Sequence, residues 1–193
     1  MLLRIYKIIS YLIYPFIPIY LNNRLSLKKE LKDRINERYG YSKINRKKGK
    51  LVWIHAASIG ESLSILPIIK ELEKNKKIKQ ILVTTGTVTS AKIMNERLKG
   101  KAFHQFLPID IPIFVERFLN HWNPSISIFV ESEIWPNFVS ALSKRNIKLI
   151  ILNGRMTVKS FNNWLKFKKT ALTLFANFDL CCAQSSDSAF FYE

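Results

Sequence analysis

Short runs of apolar residues alternate, over most of the chain, with longer segments in which apolar residues recur at every third or fourth position. The short runs predict six strands, at residues 51–55, 80–85, 102–107, 125–131, 148–152 and 180–183. The longer segments predict helices at 61–75, 89–98, 113–121, 136–145 and 157–175. Nearly continuous apolar strands are typical of a parallel sheet that is covered on both faces. Repeated strand–helix–strand units therefore predict an α/β fold, a Rossmann-like doubly wound parallel sheet, over residues 50–193.

The first 21 residues follow a different pattern. They are apolar apart from Arg4 and Lys7, and residues 8–21 carry no charge. A membrane span needs about 20 apolar residues, while Pro15 and Pro18 suit a kinked helix that lies in the membrane surface. A buried core helix has the same composition, and a cleaved signal peptide is disfavoured because no small-residue cleavage site follows. We expect residues 1–21 to form a membrane-anchoring helix, either spanning or monotopic.

Much of the positive charge lies directly after this apolar segment. The chain has a net charge of +17 from 31 Lys and Arg against 14 Asp and Glu, and its first 50 residues hold 13 of the basic and 3 of the acidic residues. Nucleic acid and an anionic membrane surface both attract such a chain. Because the charge sits beside the apolar segment, we expect residues 22–49 to form a basic juxtamembrane segment on the cytoplasmic side that binds anionic lipids, with no nucleic-acid partner. The alternative for its basic stretch is a solvated amphipathic helix without lipid contact. Its basic residues include Arg24, Lys28, Lys29, Lys32, Arg34 and Arg38.

The composition excludes several classes of protein. A hydrophobic fraction of 48% excludes a disordered chain. The only cysteines, Cys181 and Cys182, are adjacent, which excludes a secreted disulfide framework. No histidine has metal-ligand spacing to cysteine or acidic residues, and neither a P-loop nor a dinucleotide fingerprint is present, so we expect no metal and no cofactor. Aromatic and lysine residues mix over 160–178; we expect these aromatics to pack on the sheet, with a second lipid contact as the alternative.

Polar residues follow the first predicted strand, where ligands of open parallel sheets bind. Ser58 and Gly60 form a predicted tight turn, and Glu61 then opens a helix. A glutamate in the first helical turn complements the helix dipole, which is a purely structural role. A carboxylate in the crevice at the strand ends can also act as a general base. The residues alone leave both roles open for Glu61.

Two more carboxylates follow the fourth predicted strand. Glu131 and Glu133 are two residues apart, and an extended backbone would point both to the same side. Acidic residues at the end of a buried strand need partners or a function, so the pair is either structural or catalytic. Arg155 follows the fifth strand and either binds a phosphate or pairs with one of these glutamates. Asp110, after the third strand, is expected to be a turn residue.

Several motifs in order resemble the N-terminal half of the 3-deoxy-D-manno-octulosonic acid (Kdo) transferases of lipopolysaccharide assembly. The resemblance covers nearly the whole chain. The motifs are ERYG at 37–40, HAASIGE at 55–61, LPID at 107–110, ESEIWPN at 131–137, NGRM at 153–156 and AQS at 183–185.

This resemblance implies a GT-B glycosyltransferase with two Rossmann-like domains and no catalytic metal. It implies transfer of Kdo from CMP-Kdo to lipid IV(A) on the cytoplasmic face of the cell inner membrane. By the same resemblance, Glu61 is the proton acceptor for the attacking hydroxyl and Glu131 stabilises the transition state. Ser58, Gly60, Glu133 and Arg155 are weaker candidates for substrate contacts, Arg155 toward lipid phosphates.

The family continues past the matched region into a second domain that holds most of the CMP-Kdo pocket. The resemblance therefore implies that these 193 residues are the half that binds the acceptor and carries the base, and that the C-terminal donor-binding domain is absent from them. The alternative is a catalytically inactive remnant, or a membrane-bound binding module without the CMP-Kdo site.

Overall fold

The computed structural model describes residues 2–192, so Met1 and Glu193, the outermost residues of the predicted anchor and sheet domain, lie outside the described residues. Six parallel strands form one sheet in the order β3-β2-β1-β4-β5-β6. This architecture confirms the predicted doubly wound α/β fold. The strands are β1 (Lys50–His55), β2 (Ile78–Thr85), β3 (Ala102–Phe106), β4 (Ile126–Val130), β5 (Lys148–Gly154) and β6 (Leu180–Ala183).

Helices cover both faces of the sheet, with two departures from the predicted pattern. The predicted helix 61–75 is divided after Ser64, because Pro67 lacks an N–H and its ring opposes a continuous helix. The predicted helix 157–175 is also divided, between residues 165 and 168. The helices are α1 (Leu2–Ile13), α2 (Ile17–Ser26), α3 (Ile59–Ser64), α4 (Leu66–Lys74), α5 (Val88–Arg97), α6 (Pro112–Trp122), α7 (Pro136–Lys144), α8 (Val158–Leu165), α9 (Lys168–Phe175) and α10 (Ser186–Tyr192).

The core lies on both sides of the sheet because alternate residues of β1 point to opposite faces. Trp53 and Leu51 are fully buried against α6 and α7, whereas Val52 and Ile54 belong to a cluster with α4 and α5. The Trp53 ring lies 4.9–5.3 Å, centroid to centroid, from three phenylalanine rings. This packing holds β1 and β4 firmly at the centre of the sheet.

The aromatic residues of 160–178 divide between the two outcomes considered for them. Trp164 packs against the core, and its ring lies 5.4 Å from that of Phe175. Phe167 is 52% exposed. Packing on the sheet therefore accounts for part of this segment, and the lipid contact stays a prediction.

The N-terminal apolar segment is a helix that packs beside the sheet domain. It runs from Leu2 to Ser26 through a 3₁₀ turn at Tyr14–Phe16, where Pro15 falls. By length and composition alone, with a mean hydropathy of 1.4, it is able to cross a membrane. Most of its surface is exposed in the structure, and one face contacts α6 and α7. We call this segment the N-terminal helix.

The segment after this helix folds onto the edge of the sheet. A 3₁₀ helix at Lys32–Tyr39 brings Arg38, 7% exposed, into contact with the buried Glu30. The Arg38 guanidinium also donates to the backbone oxygens of Leu107 (2.9 Å) and Gly86 (2.6 Å). These contacts anchor the segment to the loops that follow β2 and β3.

Three of the six basic residues predicted to face lipids are therefore paired within the protein. Arg24 and Arg38 both bind Glu30, at 2.7 and 2.9 Å. Arg34 binds Glu37 through two hydrogen bonds of 2.8 Å. The other three, Lys28, Lys29 and Lys32, are exposed. The prediction of lipid contact now rests on these lysines.

Candidate functional site

The candidate residues lie where the strand order reverses. Strands β2 and β3 lie on one side of β1, and the chain then crosses to the other side of β1 to form β4. Crevices for ligands form at such switch points, at the carboxyl ends of the strands. His55 at the end of β1 pairs with Phe129 of β4, so the segments after these strands are neighbours. The fold thus brings 58–61 and 131–133 to one edge.

Glu61 takes part in the capping of α3. Ser58 is the N-cap residue, and its Oγ accepts a hydrogen bond from the Glu61 N–H at 3.2 Å. Glu61 Oε2 accepts in return from the Ala57 N–H at 2.9 Å. This arrangement is close to a capping box, which satisfies free N–H groups at the helix start. Glu61 therefore has the structural role at the helix start that the sequence left open. The same contact orients its carboxylate, whose other oxygen, Oε1, has no hydrogen-bond partner within residues 2–192.

Glu131 does not continue the extended strand. Its φ of +58° lies in the left-handed region, and its N–H donates to the Leu152 oxygen at 2.9 Å. The extended geometry on which the expected common direction of Glu131 and Glu133 depended is therefore absent at Glu131. A left-handed backbone costs a residue with a β-carbon about 1–2 kcal/mol, and such conformations concentrate at functional sites.

Glu133 is held by two side chains. Its Oε2 accepts hydrogen bonds from His55 Nε2 at 3.3 Å and Trp135 Nε1 at 3.0 Å. Burial raises the pKa of the Glu133 carboxyl, but these hydrogen bonds lower it by a larger amount. The pKa therefore lies below the usual range of a glutamate. The carboxylate is thus ionised and oriented. Its own side chain is 25% exposed, so a ligand can reach it.

A buried chain of hydrogen bonds supports His55, whose importance the sequence did not reveal. Trp53 Nε1 donates to Thr84 Oγ1 (2.9 Å), and Thr84 Oγ1 lies 3.0 Å from His55 Nδ1. His55 Nδ1 also lies 3.1 Å from the Thr84 backbone oxygen, and a proton on Nε2 lets the ring donate to Glu133. His55 and Glu133 are 78 residues apart, and only the pairing of β1 with β4 brings them together.

Arg155 does not join this group. Its side chain is exposed and borders a different surface depression, beside α10. Its backbone oxygen accepts from Ser132 Oγ. No ion pair joins Arg155 to Glu131 or Glu133 in the described part of the chain, so that half of the expectation is wrong. The prediction that Arg155 binds a phosphate remains.

A cleft of about 460 Å³ lies between the N-terminal helix and the carboxyl edge of the sheet. His55 and Glu133 line its polar side, together with Arg24, Arg38 and Asp110. Ala57, the hydrogen-bond partner of Glu61, is also part of its wall. The opposite wall is apolar and belongs to the N-terminal helix: Ile13, Phe16, Ile17, Tyr20 and Leu21. The cleft therefore suits a ligand with a polar headgroup and an apolar portion.

Asp110 does lie at a bend, as expected, but it is also a buried link between elements. Its carboxylate accepts hydrogen bonds from the N–H groups of Asn137 and Phe138, at the start of α7. Tyr6 of the N-terminal helix donates to it as well, at 2.9 Å. Burial raises the pKa of Asp110 to about 6, although these hydrogen bonds lower it. Asp110 thereby connects the N-terminal helix to the wall of the cleft.

Comparison with known proteins identifies the family of this chain. The family described as 3-Deoxy-D-manno-octulosonic-acid transferase (kdotransferase) matches residues 33–192. A 3-deoxy-D-manno-octulosonic acid transferase of Rickettsia bellii is 38% identical, over 95% of this chain and 44% of that protein. The Haemophilus influenzae protein of the same name is 32% identical over 85% of this chain and 39% of its own length.

A further relative bears the same name, and one solved structure shows a similar fold. A probable mitochondrial 3-deoxy-D-manno-octulosonic acid transferase of Arabidopsis thaliana is 37% identical, over 83% of this chain and 36% of that protein. A crystal structure of UDP-N-acetylglucosamine 2-epimerase shares the fold, with a TM-score of 0.52 at 11% identity over 77% of this chain and 43% of the other. The chain spans less than half the length of these curated relatives. It belongs to the Kdo transferase family.

Proposed function

We propose that this chain is the acceptor-binding, base-carrying half of a Kdo transferase that moves Kdo from CMP-Kdo to lipid IV(A). The observation that carries the proposal is the cleft at the switch point, which has a polar side and an apolar wall. A lipid-linked disaccharide needs both kinds of surface. Membership of the family supports the sugar transfer itself.

Glu61 is the proposed proton acceptor. In the reaction, the acceptor hydroxyl gives its proton to the Glu61 carboxylate, its oxygen bonds to the anomeric carbon of Kdo, and CMP leaves with the electrons of the broken bond. The contact with the N–H of Ala57, a residue of the cleft wall, supports this role, although Glu61 itself is buried and is not one of the residues that line the cleft. A general base in a fixed position contributes about 10²–10⁴-fold to such a reaction.

The remaining candidates have proposed roles of their own. We assign Glu131 to transition-state stabilisation, supported by its strained backbone at the switch point. Ser58 orients Glu61 through the helix cap, and Gly60 leaves open space beside it. The ionised Glu133 accepts hydrogen bonds from acceptor hydroxyls, and the exposed Arg155 meets lipid phosphates. The site acts on the cytoplasmic face of the inner membrane, where the N-terminal helix and the exposed lysines meet anionic lipids.

The test has a binding arm and a transfer arm. The chain is titrated with lipid IV(A) in detergent, and transfer from CMP-Kdo is measured with the chain alone and with the separately expressed C-terminal domain of the Rickettsia bellii relative. We expect binding by the chain alone and transfer in the mixture. Binding with no transfer in the mixture would instead support the membrane-bound binding module. Absence of lipid IV(A) binding would contradict the proposal.

A matched pair of variants tests Glu61. Glu61→Gln keeps an oxygen that can accept from the Ala57 N–H but removes the base, so we expect transfer in the mixture to fall at least 100-fold with lipid IV(A) binding unchanged. Glu71→Gln makes the same change on an exposed face of α4 and should leave the rate unaltered. Equal rates in both variants would remove Glu61 as the base.

A further inference from the structure

One face of the N-terminal helix contacts the sheet domain from one end of the helix to the other. Near its start, Leu3 packs against the main core, and Tyr6 donates to Asp110. Near its end, Ile17 and Leu21 are 4% and 2% exposed against Ile111 and Phe114. Between them, Ser10 Oγ accepts from Asn137 Nδ2 at 3.2 Å. Residues 3, 6, 10, 17 and 21 are spaced as one helical face requires.

These contacts extend over about the thickness of a bilayer. From Leu3 to Leu21 the helix measures about 27 Å at 1.5 Å per residue, while the hydrocarbon core is about 30 Å thick. A helix that crossed the bilayer with its contacts intact would carry Asp110 and Asn137 into hydrocarbon. A helix that crossed without these contacts would lose the hydrogen bonds of Tyr6 and Ser10 and leave their buried partners unpaired, which is unfavourable. The geometry opposes both arrangements.

The face turned away from the domain is apolar and unusually exposed. Leu12, Phe16 and Ile19 are 67%, 62% and 68% exposed. Their neighbours on this face recur at intervals of three and four residues, as in a helix that lies in a membrane surface. The face consists of Ile5, Ile8, Ile9, Leu12, Ile13, Phe16, Ile19 and Tyr20.

Cationic residues stand at both ends of this apolar face. Arg4 and Lys7 are exposed near its start, and with Lys144 of α7 they border a groove of about 190 Å³. Lys28 and Lys29 are exposed just beyond its end. A helix in the plane of the membrane brings both groups to the headgroups of one leaflet, where cations are attracted by anionic lipids. A spanning helix would separate the two groups by the bilayer.

We infer that the N-terminal helix lies in the plane of one leaflet of an anionic membrane, with its apolar face in the lipid and the sheet domain on its other side. The inference rests on the membrane attachment in the proposed function. It adds that the cleft opens beside the lipid surface, because Phe16 and Tyr20 belong both to the lipid-facing side and to the cleft wall. A lipid acceptor then reaches the polar residues by moving sideways out of the leaflet.

Single cysteines decide between the two arrangements. In a Cys181→Ser/Cys182→Ser background, Lys7→Cys and Lys28→Cys are produced separately in inside-out inner-membrane vesicles and treated with a membrane-impermeant maleimide. The unsubstituted chain, whose Cys182 is exposed on the domain, marks the domain side. We expect Lys7→Cys, Lys28→Cys and Cys182 all to react without permeabilisation. Reaction of Lys7→Cys only after permeabilisation would overturn the in-plane arrangement in favour of a span.

A spin label at Leu12→Cys in the same background provides an independent measurement. An in-plane helix places it about 5–10 Å below the headgroup boundary, whereas a spanning helix places it near the bilayer centre, about 15 Å deep. A label at the bilayer centre would overturn the inference but leave membrane attachment and lipid IV(A) binding intact. Recovery of the chain in the soluble fraction would overturn membrane attachment as well. Neither measurement depends on transfer activity, so loss of activity alone contradicts only the proposed function.

Discussion

Asp110 gathers hydrogen bonds from two elements at a single buried carboxylate. Its oxygens accept from the N–H groups at the start of α7 and from the hydroxyl of Tyr6. Burial nevertheless dominates its titration and raises its pKa from 3.8 to about 6. The ionised carboxylate is therefore tolerated in the fold at the expense of stability.

This shift has a definite sign in the pH dependence of stability. The folded state binds the Asp110 proton more tightly than the unfolded state does. The protonated carboxyl therefore contributes its full stabilisation of the fold below about pH 4, and this contribution is lost as the pH rises through about 6. We expect the free energy of unfolding, from urea titrations, to fall by about 3 kcal/mol over this interval from this group. In Asp110→Asn that part of the fall should vanish.

The exposed Asp33 supplies the control for this measurement. Asp33→Asn should retain the pH dependence of the unsubstituted chain. Parallel stability profiles for Asp110→Asn and the unsubstituted chain, from pH 4 to pH 7, would show that burial of this carboxylate has no such effect.

The sequence predicted individual site residues but not the side chains that hold them in place. Ser58, Glu61 and Glu133 were found because polar residues directly after apolar strands must lie at the sheet edge. His55 looked like the last residue of a strand, since its partners Thr84 and Glu133 are distant in sequence. The left-handed backbone of Glu131 had no local signal either, because glutamate rarely adopts it.

The 3₁₀ helix Lys32–Tyr39 depends on a glycine at its end. Gly40 has a φ of +83°, and a β-carbon there would lie 2.3 Å from the Phe114 oxygen in α6. Only a glycine permits both the left-handed turn and the close approach of this segment to α6. The motif ERYG thus ends in glycine for a steric reason.

Substitution of this glycine should therefore destabilise the fold. We expect Gly40→Ala to lower the free energy of unfolding by at least 2 kcal/mol, of which about 1–2 kcal/mol comes from the left-handed backbone. Gly60→Ala is the matched control, since its β-carbon would meet nothing closer than 4.0 Å and alanine favours the helix. Urea denaturation of both variants measures the difference. Equal stability of the two variants would contradict the steric account.

Regular elements were predictable wherever packing follows a repeating pattern. The strands begin and end within two residues of the predicted bounds, because their side chains are buried on both faces. The 3₁₀ form of the segment Lys32–Tyr39 had no local signal, since its order derives from the contacts of Arg38 with Gly86 and Leu107, far along the chain. Similarly, no sequence pattern shows which face of the N-terminal helix meets α6 and α7.

Most of the molecule's net charge of +17 lies outside its internal ion pairs. Arg24, Arg34 and Arg38 are paired internally. Lys28, Lys29 and Lys32 remain exposed beside the cleft, while Lys76, Lys77 and Lys79 are exposed near the opposite edge, at the start of β2. Two lysine clusters of equal charge thus stand at opposite ends of the sheet.

This arrangement predicts unequal effects of equal charge changes. We expect Lys28→Gln/Lys29→Gln/Lys32→Gln to weaken binding to vesicles rich in anionic lipid by about 100-fold, at about 1 kcal/mol per lysine. The triple change Lys76→Gln/Lys77→Gln/Lys79→Gln should leave binding nearly unaltered. Sedimentation with vesicles at a fixed low salt concentration measures both. Equal weakening by the two triple variants would show that only net charge matters.

The contacts between the N-terminal helix and its domain also impose an order in time. Tyr6 precedes its partner Asp110 by 104 residues, and Ser10 precedes Asn137 by 127. At about 5–20 residues per second, a ribosome needs roughly 5–25 s to make the surface on which the helix will rest. In the in-plane arrangement inferred above, the bilayer is available to this apolar helix throughout that interval. That arrangement therefore predicts that the helix meets lipid first and that the domain folds afterwards onto it.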